Sequence, residues 1–161
     1  MYDVFIQIKD YLDEDVKKPR GIKAVYLGDP GIINKSSLPA ITVFPTSSTL
    51  EAKGVGPGGT DLVVHEVNIG LIWDLRDSFD KRPEEVKIVK DLMETIFERD
   101  SSGNLQNDTI IGSIRENITI SGEVDFNDTF AIDYGVSDAR EFPTLEAIIT
   151  FEVTLRPLRP S

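Results

Sequence analysis

The stretch that most restricts the fold runs from residue 144 to 156. Leu145, Ala147, Ile149, Phe151, Val153 and Leu155 fall at every second position, and Glu146, Thr150, Glu152 and Thr154 fill the gaps, with Ile148 the one exception. Successive strand side chains point to opposite faces, so a period of two specifies a strand covered on one face and wet or partnered on the other. Such a strand needs antiparallel neighbours and a layer to cover its apolar side.

The rest of the sequence supplies both. Over residues 62–75, Val67, Ile69, Leu71 and Trp73 alternate with Glu66, Asn68, Gly70 and Ile72, which reads as a second long strand. Residues 39–45 form a short strand bounded by Pro39 and Pro45, neither of which can donate to a ladder. Residues 24–28 give another, followed by a turn at Asp29-Pro30-Gly31. Residues 109–120 and 122–126 read as strands, with Ile118 and Ile120 on one face of the first. Two segments have helical spacing. Val4, Phe5, Ile8 and Leu12 share one face of residues 2–16, which Pro19 and Gly21 end. Pro83 opens residues 83–99, with Glu84 and Glu85 at the positive end of the macrodipole and a buried stripe expected at Val86, Val89, Met93, Ile96 and Phe97. Asp100-Ser101-Ser102-Gly103 terminates that helix. Residues 46–61 read as a polar loop and residues 127–143 as irregular chain. The expected fold is α+β: a mostly antiparallel β-sheet with two α-helices packed on one face, in a single domain spanning residues 1–161.

Composition removes several function classes. The 161 residues carry 17 basic and 28 acidic side chains, a net charge of −11. Proteins that grip duplex nucleic acid concentrate Lys and Arg, so specific nucleic-acid binding and adhesion to anionic membranes are not expected. No run approaches the roughly 18 apolar residues of a membrane span. Asp3, Lys9, Asp10, Asp13, Glu14 and Asp15 interrupt the first twenty residues, so no secretory leader is expected and Met1 reads as a native start. There is no cysteine, which excludes disulfides and thiolate metal sites.

No motif carries catalysis. Gly54-Val55-Gly56-Pro57-Gly58-Gly59 formally matches a dinucleotide fingerprint, but a polar loop precedes it and a strand follows, the reverse of what pyrophosphate binding needs. His65, the single histidine, sits mid-strand with no glycine-flanked serine elbow in the chain. Asp74, Asp77 and Asp80, and Asp125, Asn127 and Asp128, lack the glycine and terminal Glu of a calcium loop and read as turn and cap residues. The Asn-x-Thr sites at Asn107, Asn117 and Asn127 have no meaning without secretion. The basic tail Leu155-Arg156-Pro157-Leu158-Arg159-Pro160 is a strand exit or an arm for an acidic neighbour. No catalytic residue, cofactor or metal is expected, and the chain is not expected to be an enzyme.

The order of elements resembles the tail terminator proteins of long-tailed, non-contractile bacteriophages, the minor tail protein U type. The resemblance rests on the N-terminal helix from Val4 to Leu12; on the proline-bounded Leu38-Pro39-Ala40-Ile41-Thr42-Val43-Phe44-Pro45; on Ile69-Gly70-Leu71-Ile72-Trp73-Asp74; on the helix from Val86 to Arg99; and on the alternating strand from Ala147 to Leu155. It implies a structural protein of the virion, at the head-proximal end of the tail, assembled in the host cytoplasm. It implies a homo-hexameric ring that caps the tail tube protein, stops polymerisation and meets the head connector, with DNA passing through the ring. Another neck, head–tail joining or tail completion protein shares the layout, and a small cation-dependent hydrolase is the weaker alternative. Assembly contacts are expected in the long loops, where exposed residues sit: Glu51, Lys53, Gly54, Gly56 and Gly59 in one, Asp133, Tyr134, Asp138 and Arg140 in the other. Charge reversal at Lys53 or Arg140 is expected to weaken assembly and leave the subunit folded.

Overall fold

The described residues build one six-stranded sheet with helices on one side. A computed structural model describes residues 4–53, 60–75, 82–118, 124–126, 129–140 and 142–155. In chain order the elements are α1 (Val4–Asp15), β1 (Ala24–Leu27), a 3-10 turn (Lys35–Ser37), β2 (Ala40–Lys53), β3 (Thr60–Asp74), α2 (Arg82–Phe97), α3 (Ile110–Ile118), β4 (Val124–Phe126), β5 (Ala131–Ser137) and β6 (Thr144–Leu155). The strands lie in the order β1-β2-β3-β6-β4, with β5 beside β4 along the same flank of β6. Among the described residues only β1 runs parallel to its neighbour.

The two long alternating segments form the centre. β3 pairs with β6 from Val63↔Leu155 to Asp74↔Thr144, and partners across an antiparallel ladder share a face. Val67, Ile69 and Leu71 therefore line up with Phe151, Ile149 and Ala147, all essentially buried. The helices cover this face with Ile8 and Leu12 of α1, Leu92 and Ile96 of α2, and Ile110 and Ile114 of α3. A smaller cluster covers one corner of the opposite face, where Ala40 and Ile72 pack with Ile33, Leu38 and Phe142. Elsewhere that face is mixed: Asn68 Oδ1 accepts a 2.7 Å hydrogen bond from Thr150 Oγ1, Gly70 lies against Thr42, and Ile148 is 43% exposed. A Cβ on Gly70 would sit 2.4 Å from Thr42 Oγ1, so the strand needs glycine there.

The α+β architecture with helices on one face agrees with the sequence reading, but a third helix joins the two expected. Residues 109–120, read as a strand, contain α3. Ile110, Ile111 and Ile114 are β-branched and locally favour a strand, yet they recur at helical spacing and are buried. Thr109 is the cap that decides it: its Oγ1 accepts the Gly112 N–H at 3.0 Å and donates to the Gln106 carbonyl at 2.7 Å. The turn is so tight that a Cβ on Gly112 would lie 2.0 Å from that same carbonyl oxygen. In α2 the buried stripe keeps Ile96 but is otherwise rotated from the expected one. Leu92, Thr95 and Ile96 are buried, whereas Val89 and Met93 are exposed. Thr95 tolerates burial because its hydroxyl donates to the Asp91 carbonyl at 2.7 Å. Two further corrections, the strand character of much of the two loops, bear on the site.

Candidate assembly surface

The sheet ends in two unlike edges. On one side, β1 pairs with β2 only from Ala24↔Ala40 to Leu27↔Val43. Beyond Val43, β2 has no strand on its outer flank among the described residues. The expected polar loop 46–61 is in large part this strand and its partner: β2 and β3 pair continuously to Lys53↔Thr60, with one bulge between Pro45 and Ser47. Among the described residues, residues 47–53 of β2 and 60–66 of β3 form a hairpin arm whose β3 strand meets β6 only as far as Val63↔Leu155. Residues 47–52 are exposed, Leu50 at 71%. On the other side lies β5, where the expected irregular chain 127–143 instead pairs with β6 from Ala131↔Thr150 to Ser137↔Thr144. Its outer flank also carries no strand among the described residues. Tyr134 is 48% and Val136 64% exposed. Burial nonetheless pushes the Tyr134 phenol above its ordinary pKa.

Cross-strand side-chain pairs stiffen the arm. Thr46 Oγ1 donates to Glu66 at 2.7 Å. Ser48 Oγ lies 2.7 Å from His65 Nδ1, and the Phe5 ring meets the imidazole edge-on with centroids 5.2 Å apart. A serine hydroxyl on an imidazole nitrogen is the first half of a nucleophile–base pair. Ser48 and His65 are register partners on β2 and β3, so the contact is a cross-strand side-chain pair. Among the described residues no cluster of three or more His, Asp or Glu is arranged to hold a metal ion. No helix among them is long and apolar enough to cross a membrane.

Beneath the β5 edge, on the helix side, lies an open groove of about 240 Å³ lined by Phe97, Arg99, Leu105, Ile111, Arg115, Phe130 and Ile132. Arg115 stands 5.6 Å above the Phe130 ring, which in turn packs 5.1 Å from Phe151. Among the described residues its lining is apolar apart from the guanidinium groups of Arg99 and Arg115.

Three polar clamps hold these surfaces in place. Arg140, only 9% exposed, gives Glu146 two hydrogen bonds of 3.1 and 3.2 Å, gives Asp29 two of 3.2 Å, and donates to the Gly31 carbonyl at 2.8 Å. This ties the β5–β6 turn to the loop after β1. Burial opposes the charge on Arg140, but its bonds to Glu146 and Asp29 outweigh that and keep the guanidinium pKa above its ordinary value. For Asp29, burial raises the pKa, and the Arg140 and Gly31 hydrogen bonds more than reverse it, leaving the carboxyl below its usual range. Arg20, 12% exposed, plays the same part below the helices. It pairs with Glu98, meets Asp108 at 2.6 Å, and reaches Gln106 at 3.3 Å. Asp15 at the end of α1 accepts from Ser113 at 3.0 Å and Asn117 at 2.8 Å on α3.

The residues expected at contacts fall into three groups. Glu51, Asp133, Tyr134 and Asp138 are exposed on or beside the two free edges. Lys53 ends β2 in register with Thr60, and Gly54, Gly56 and Gly59 lie outside the described residues. Arg140 is internal: its donors are committed to holding two segments of one subunit together, so it belongs to the support of the surface. The sequence reading missed Leu50 and Val136, the most exposed apolar residues of the two edges. The period-two placement of Ile132, Tyr134 and Val136 was the signal for β5. No family model matches the chain, and no curated protein matches it.

Proposed function

We propose that this protein is a ring-forming structural subunit of a bacteriophage tail, a tail terminator that caps the tail tube, stops its growth and offers a surface to the head connector. The observation that carries the proposal is the pair of unlike free edges, the β2 arm on one flank and β5 on the other. A head-to-tail ring requires two different complementary surfaces on each subunit, whereas an isologous dimer needs only one. The order of elements supports the same reading through its resemblance to tail terminators. The acidic excess suits a pore that passes DNA without holding it, since like charge repels the phosphate backbone. Partners are copies of the chain, the tube protein and the connector; the subunit works at the head-proximal end of the tail without turnover or cofactor.

Deleting the gene from its phage is expected to give abnormally long or headless tails by electron microscopy. Tails of normal length joined to heads would overturn the proposal. Filled heads without tails, alongside normal free tails, would move the protein to the portal side of the neck.

A further inference from the structure

We propose that neighbouring subunits join sheet to sheet, the outer edge of β5 in one copy pairing antiparallel with the end of β2 in the next. This rests on the ring-forming reading above and names its partner as a second copy of the chain.

Strand count fixes the sense of the junction. From one free edge to the other the sheet runs β2, β3, β6, β5, each antiparallel to the next. Three reversals leave β5 opposite in direction to β2, so a head-to-tail repeat sets β5 beside the neighbour's β2 in antiparallel sense without turning the neighbour over. The faces match as well. Leu50 pairs with Val63, and Val63 with Leu155, on the helix side of the sheet. Tyr134 and Val136 pair with Ala147 and Leu145 on that same side. The joined sheet therefore brings the exposed apolar residues of both edges onto one face.

Charge selects the register. Placing Leu50 opposite Tyr134 sets Glu51 opposite Asp133, two like charges on directly opposed positions. A shift of two residues sets Leu50 opposite Val136 and Lys53 opposite Asp133, keeping the faces matched and opposing unlike charges. β5 has the composition of an edge meant to be paired: seven residues with no lysine, proline or bulge. On β2 the bulge between Pro45 and Ser47 ends the usable edge. The two segments lie at different heights. The β2 end is level with Glu152 and beyond on β6, whereas β5 is level with residues 144–150. Pairing Leu50 with Val136 therefore offsets neighbouring subunits along the strand direction, since Leu50 is level with Leu155 of β6 and Val136 with Leu145.

The chain has no cysteine, so introduced thiols are unambiguous probes. Leu50→Cys and Val136→Cys proteins, mixed and oxidised, are expected to give mainly the mixed disulfide dimer, and the double variant a ladder of multimers on non-reducing gels. Leu27→Cys, exposed on β1, is the control that should not pair with Val136→Cys. Lys53→Glu or Asp133→Lys alone is expected to weaken association about tenfold, and the double reversal to restore it. Val136→Cys homodimers in place of the mixed species would overturn the proposal in favour of an isologous β5 contact. Wild-type rings or tube caps in sedimentation and negative-stain images without the Leu50–Val136 disulfide would sink this junction and leave the assembly reading standing. A protein that stays monomeric, neither cross-linking nor capping tubes, would end both.

Discussion

Replacing Arg140 with alanine tests the physical account of the β5–β6 turn. The change removes five hydrogen bonds and leaves Glu146, 20% exposed, and Asp29, 44% exposed, without their guanidinium. Stripping one partner from a buried ion pair costs about 3–5 kcal/mol, whereas exposed pairs are worth about 0–1 kcal/mol. Glu146 stands nearer the first case and Asp29 nearer the second, so the loss is set at about 2–3 kcal/mol. For a chain of this size that is a fall in Tm of about 5–10 °C. Arg140→Lys keeps the charge but loses the fork that serves two carboxylates at once, and it recovers less than half of the stability. Urea unfolding followed by circular dichroism reads these differences. The pH dependence supplies a second check. Asp29 titrates below its ordinary value in the folded state, so its share of stability is present above pH 3.8 and is lost as pH falls through the lower folded pKa. The gap between wild type and Arg140→Ala should therefore narrow in acid. An alanine variant within about 0.5 kcal/mol of wild type at pH 7 would refute the clamp and return Arg140 to the set of surface contacts.

Gly112→Ala drives a methyl into the Gln106 carbonyl and is expected to cost about 2–4 kcal/mol, read as a lowered urea midpoint. Thr109→Val removes the cap of α3 and is expected to cost about 1 kcal/mol in the same assay. Gly70→Ala is expected to destabilise by about 1–3 kcal/mol through its clash with Thr42, and Thr42→Ala should recover most of that in a double-mutant cycle; strictly additive effects would disprove the contact. Arg20→Ala is expected to loosen α3 from α2, seen as faster hydrogen exchange at residues 109–114.

What the sequence disclosed follows from where the hydrophobic signal is strong. β3 and β6 are central strands with one buried face, and their alternation survives in the sequence almost unbroken. α1 buries Val4, Phe5, Ile8 and Leu12, the face its spacing marks. α3 was hidden because β-branched isoleucines favour strands locally, while the Thr109 cap and burial against α1 and α2 decide the outcome. The β2 arm was hidden for the opposite reason. Thr46, Ser47, Ser48 and Thr49 leave the core behind, so no apolar alternation marks the strand and only its pairing with β3 reveals it. β5 carries the right period, but Gly135 and Asp133 dilute it at an edge with little burial. Arg20 and its acceptors, and Arg140 and Asp29, lie 78 to 111 positions apart, a separation at which one sequence offers no signal. The candidate site was legible only in part: exposure was anticipated for Glu51, Asp133, Tyr134 and Asp138 and is found, but their place on or beside two unlike edges is a property of the assembled sheet.

The most direct test adds purified protein to polymerising tube protein and follows tube length and tube ends by negative-stain electron microscopy. Tubes that stop growing and carry a ring of density at one end are the expected result. Tubes that lengthen undisturbed, with bare ends at saturating protein, would contradict the account.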